Sequence, residues 1–102
     1  MPAGDPRLHY KVGPLNCKRR DGHVSRICSL RLQGGELIFS AGTPSAIPIG
    51  KVVSFRREES YNGEHWGGNC FIVLTLPSQE IGILLKHEYA DTWMRALAGQ
   101  LH

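Results

Sequence analysis

Apolar and polar residues alternate with a period of two along much of the chain, and the period lengthens to about 3.6 only towards its end. Between Arg26 and Leu32, Cys28, Leu30 and Leu32 fall on one side and Ile27, Ser29 and Arg31 on the other, which is the pattern of a half-buried strand. Asn69–Leu76 and Ile81–Leu85 read as two further strands joined by a Pro77-Ser78-Gln79-Glu80 turn. A first strand is predicted over Leu8–Asn16, with Gly13-Pro14 marking a bend or an edge position. Asp21-Gly22, inside Cys17–Ser25, is a hairpin-turn signal. Gln33-Gly34-Gly35-Glu36 forms a second turn that leads into Leu37-Ile38-Phe39-Ser40.

Ala41–Ala46 reads as loop, followed by extended pieces at Ile47-Pro48-Ile49 and Val52-Val53-Ser54-Phe55; Pro48 places the former at an edge or a strand start. Ser60–Asn69 reads as a long flexible loop. From His87 to Leu101 the period changes. Ala90, Trp93, Met94, Leu97 and Leu101 fall at i, i+3, i+4, i+7 and i+11, one stripe of an amphipathic helix, with Asp91, Arg95 and Gln100 off it. About seven short strands followed by one helix predict an antiparallel sandwich or barrel whose open end the helix covers.

The chain of 102 residues is 41% hydrophobic, enough for a single core. Residues 1–7 hold two prolines and a glycine without apolar period and read as a disordered lead, leaving residues 8–102 as one domain. No apolar run is long enough to span a membrane, and the N-terminus lacks a signal-peptide core. Cys17, Cys28 and Cys70 are odd in number and lack C-x-x-C spacing, which predicts free thiols in a reducing, cytoplasmic setting.

The net charge of +3 is uneven. Through Gly34 seven basic residues face two acidic ones, whereas the remainder holds five basic and seven acidic. Such asymmetry marks one positive end suited to an anionic partner.

Asp91-Thr92-Trp93-Met94-Arg95-Ala96-Leu97 resembles the C-terminal helix of pleckstrin homology domains, whose tryptophan packs into the core. Ser25–Leu30 and Gly34–Phe39 are similar to the second and third strands of that family, Ala46–Ile49 to the segment entering the fourth, and Asn69–Val73 with Ile83–Leu85 to the last strands. The resemblance covers nearly the whole chain from about Leu8 and implies a mainly β fold, a seven-stranded antiparallel bent barrel capped by one C-terminal α-helix.

It also implies a non-catalytic targeting or adaptor module for anionic phospholipid, the phosphoinositides in particular, held at the membrane periphery. Lys18, Arg19, Arg20 and Arg26 occupy the region where lipid-binding members clasp an inositol phosphate, and His23 shares the loop. Clustered Lys and Arg supply charge-assisted hydrogen bonds to phosphate. The sequence departs from the family pattern at two positions. Cys17 stands where the first-strand lysine is usual, with Lys18 one place late, and Val24 stands where a second basic residue precedes Arg26. One place along a strand turns a side chain to the opposite face. Without the motif, four basic residues near an anionic surface contribute about 4 kcal/mol, a millimolar attraction.

The alternative is a protein-interaction module of the same fold, using a strand edge or the aromatics Tyr61 and Trp66 as anchors. Nucleic acid is disfavoured because the basic segment holds no aromatic beyond Tyr10 to stack bases. No enzyme motif is complete: Ile49-Gly50-Lys51-Val52 lacks the first glycine and the hydroxyl residue of a phosphate-binding loop. The histidines and cysteines lack zinc spacing, Cys28 and Cys70 read as small core residues, and neither cofactor nor metal is expected.

Overall fold

The structure, a computed structural model, describes residues 11–100. Leu8–Tyr10 of the expected first strand, the expected disordered lead and Leu101 of the helical stripe lie outside the described residues. The described chain folds into nine strands and one α-helix: β1 (Lys11–Asp21), β2 (Val24–Gln33), β3 (Glu36–Ala41), β4 (Thr43–Pro48), β5 (Ser54–Glu58), β6 (Ser60–Tyr61), β7 (Glu64–His65), β8 (Asn69–Thr75), β9 (Glu80–Lys86) and α1 (His87–Gln100). A 3-10 turn at Ile49–Lys51 leads out of β4.

Seven strands form one antiparallel sheet in the order β4-β3-β2-β1-β9-β8-β5, while β6 and β7 pair as a separate hairpin. Seven sheet strands and a C-terminal helix fit the expected pleckstrin-like arrangement. The expected closure into a barrel does not occur: β4 and β5 end the sheet and do not pair with each other. The β4 edge explains part of this. Its residues Pro44 and Pro48 have no N–H to give, and its residues from Thr43 to Ala46 are exposed.

Burial follows the alternation read from the sequence. Cys28, Leu30 and Leu32 on β2 are buried, and Ile27, just before them on the other face, is 80% exposed. They join Leu37 and Phe39 of β3, Ile72 and Leu74 of β8, and Ile81, Ile83 and Leu85 of β9 in one core. The helix packs on β5, β8 and β9 and puts Trp93, 3% exposed, into that core with Ala96 and Leu97. The buried stripe is rotated slightly from the expected one. Ala90, Trp93, Ala96, Leu97 and Gln100 are buried, and Met94 only partly so. An Arg57–Asp91 ion pair (2.7 Å) ties β5 to the helix.

Two regions expected as turn or loop are ordered strand. β1 runs unbroken through Lys18–Arg20 to a tip at Gly22-His23, and β4 begins at Thr43. Ser60–Asn69, expected to be a flexible loop, contains the β6–β7 hairpin. Its turn is Asn62-Gly63, both at positive φ (49° and 79°), the conformation a tight primed turn requires. The hairpin lies over the face of the sheet opposite the main core, where Tyr61 packs with Phe71 and Val73 in a second, smaller cluster. Gly82 on β9 leaves the space that the Tyr61 ring fills.

Candidate functional site

The basic segment is strand, so its residues divide by parity. On β1, Cys17, Arg19 and Asp21 face inward and Lys18 and Arg20 outward. β2 faces β1 with Arg26 opposite Arg19, Val24 opposite Asp21 and Cys28 opposite Cys17. The four sequence-predicted basic residues therefore form two pairs on opposite faces, Arg19 with Arg26 and Lys18 with Arg20.

The inward pair borders a pocket of about 470 Å³ at the end of the sheet that carries the β1–β2 tip. Its floor is Cys28 and Phe39, and Thr43 and Ser45 of β4 bring hydroxyl groups to its far wall. Arg19 is held in place: its Nε and Nη2 donate to Asp21 Oδ2 and Oδ1 at 2.9 and 3.1 Å, and its Cζ stands 4.5 Å over the Phe39 ring. This clamp leaves the Nη1 hydrogens uncommitted to Asp21. Arg26 is exposed and has no ion-pair partner among the described residues. Two arginines opposite one carboxylate give the pocket an excess positive charge.

The outward pair is engaged by the β6–β7 hairpin. Arg20 forms an ion pair with Glu64 through Nη1 and donates to the Gly22 and Asn62 carbonyls at 2.9 and 3.3 Å. Lys18 lies 3.9 Å from the same carboxylate and 5.3 Å from the Trp66 ring centroid. Trp66 in turn donates its Nε1 hydrogen to Glu64 at 2.6 Å. Glu64 thus gathers both outward cations and the tryptophan.

The two aromatic candidates separate as well. Tyr61 is buried, its ring 5.6 Å from that of Phe71, and its hydroxyl donates to Glu80 at 3.2 Å. Trp66 is 50% exposed, as the protein-binding reading needs, and Ile27, the cross-strand partner of Lys18, is exposed on the same face.

Sequence reasoning missed Glu64, Asp21 and Phe39, the groups that hold the cations, together with Thr43 and Ser45. Asn62-Gly63 was the available signal for the hairpin that delivers Glu64; nothing in the sequence marked the others.

Below the arginines lie the thiols. Cys17 and Cys28 place their sulfurs 3.5 Å apart in the core, and all three cysteines are free and buried. Burial, and then the adjacent Cys28, push the Cys17 thiol far above its ordinary range. Among the described residues no cluster of three His, Cys, Asp or Glu could hold a metal ion, and no helix is long and apolar enough to cross a membrane. No protein-family model matches the sequence, and no curated protein is significantly similar to it.

Proposed function

We propose that the chain is a binding module for phosphate-bearing anions, with the head groups of anionic membrane lipids as its ligands. The observation that carries this reading is the facing pair Arg19 and Arg26 at the mouth of a pocket whose other wall bears Thr43 and Ser45. Guanidinium groups bind phosphate through paired N–H donors, and hydroxyls complete the remaining acceptor positions. Arg26 makes the first contact because no described group competes for it. Arg19, preset by Asp21 and Phe39, adds its free Nη1 hydrogens at little cost in side-chain entropy. Lys18 and Arg20 contribute field more than contact, since Glu64 already faces both.

The test is a calorimetric titration with a soluble inositol polyphosphate, beside sedimentation with vesicles containing an anionic phosphoinositide. The expected result is saturable binding that weakens with salt and falls about 10- to 100-fold in Arg26→Ala, the loss of one or two charged hydrogen bonds. Vesicle binding without polyphosphate binding would assign the affinity to the bilayer surface as a whole. No binding in either arm overturns the reading.

A second reading rests on its own observation. The half-exposed Trp66 and the 80% exposed Ile27 flank Lys18 on the outward face and suit a protein partner. Trp66→Ala separates the two, because it leaves the inward pocket intact.

A further inference from the structure

Cys17 and Cys28 are direct cross-strand partners on β1 and β2, with side chains on the same inward face. Their Sγ atoms stand 3.5 Å apart. Partners in an antiparallel pair have Cα separations of about 4.5–5.5 Å, inside the range a disulfide spans. The sulfurs need to approach by only about 1.5 Å to reach bonding distance, a side-chain rotation with the backbone in register. The two thiols are about equally buried, but Cys28 lines the pocket beneath Arg19 and Arg26 and Cys17 does not. Cys70 sits on β8 and has no cysteine opposite it; its cross-strand partner is Leu85.

We propose that Cys17 and Cys28 are an oxidisable dithiol, closed by a small hydroperoxide entering through the pocket into a disulfide that staples the β1–β2 hairpin. The Cys28 thiolate attacks the peroxide O–O bond. One oxygen stays on sulfur as a sulfenic acid, and the other leaves as hydroxide and takes up a proton. The Cys17 sulfur then attacks the sulfenic sulfur. An S–S bond forms, the S–O bond breaks, and the departing hydroxide carries off the Cys17 proton as water. With hydrogen peroxide the sum is two thiols and one peroxide giving one disulfide and two waters. Cys28 borders the pocket through which the peroxide enters, so it is the sulfur oxidised first and Cys17 the resolving partner. The staple falls one inward position from the Arg19–Arg26 pair, so closure fixes the spacing of the two arginines. The effect on anion affinity rests on the function proposed above; the closure itself does not.

The experiment treats the reduced full chain with hydrogen peroxide, quenches it, and reads intact mass, alkylatable thiols and a non-reducing peptide map. The expected result is loss of two hydrogens, a Cys17–Cys28 linked peptide, Cys70 as the remaining alkylatable thiol, and reversal by dithiothreitol. Amide exchange in the β1–β2 hairpin slows by about tenfold or more, as expected when local opening is removed. In Cys17→Ser the sulfenic acid on Cys28 persists and is trapped by a dimedone reagent, whereas Cys28→Ser leaves Cys17 unmodified. Three unchanged thiols, a link to Cys70, or sulfonic acid without a link would overturn the proposal. Polyphosphate titration of both redox forms keeps the two ideas apart: if neither form binds while the link forms, the anion reading fails and the staple stands.

Discussion

The Tyr61 ring occupies the volume that a side chain at position 82 would need: a Cβ built on Gly82 falls 2.6 Å from Tyr61 Cδ2 and 2.8 Å from Cε2. Real Cβ atoms do not approach carbon so closely, so Gly82→Ala must move the ring. Moving it unseats the β6–β7 hairpin, because Tyr61 is the residue that buries it. The expected cost is about 1–3 kcal/mol by urea denaturation. Tyr61→Ala in the same background should make the two costs non-additive.

Trp93 carries the helix. Its ring is enclosed by residues of the main core, and Trp93→Ala should cost about 3–5 kcal/mol in chemical denaturation. That is a large share of the stability of a domain this size. An unchanged unfolding midpoint would mean that the helix is not docked as described.

Arg20 and Glu64 should prove structural, unlike Arg26. Both side chains are largely shielded, so a double-mutant cycle of Arg20→Ala and Glu64→Ala should return a coupling of about 0.5–3 kcal/mol in stability. Arg26→Ala, on an exposed side chain, should change stability by less than about 0.5 kcal/mol. Polyphosphate affinity should show the opposite order.

Alkaline pH should destabilise the domain before it does anything else. Burial raises the Cys17 and Cys70 thiols above 9.0 and the Tyr61 phenol above 10.0. In the unfolded chain these groups ionise at their ordinary values, so the unfolded state holds fewer protons and stability falls as pH rises above about 9. Below that pH both states keep the protons and the contribution is constant. Urea midpoints measured from neutral to alkaline pH should decline accordingly, and Cys70→Ala should make the decline shallower. Glu80, held low by the hydrogen bond from Arg56, acts at the other end, with stability lost as acid protonates it.

The parts of the fold legible in the sequence were those fixed by local periodicity. Cys28, Leu30 and Leu32 announced the inward face of β2, and Trp93 and Leu97 announced the helix, because side-chain direction repeats over a few residues. The Asn62-Gly63 hairpin was read only as loop, because each of its strands is two residues long, too short for any alternation to show. The open sheet was not legible, since edge pairing between β4 and β5 is a question of distant backbone geometry. The basic cluster was visible as composition and invisible as two faces. Ending the first strand at Asn16 left Arg19 and Arg20 without assigned faces, and the partner that selects the outward pair, Glu64, is 44 residues from Arg20 in sequence.

The seam between β1 and β9 has a consequence in time. β1 to β4 follow one another as adjacent hairpins and can assemble as each strand appears, but β1 finds its second neighbour only when Gly82–Leu84 arrives opposite Lys18–Arg20. Until then a nascent chain carries a half-sheet with one edge of a long strand unpaired, and closing so distant a contact is slow. An unfinished or stalled chain would meet its own copies through that strand first.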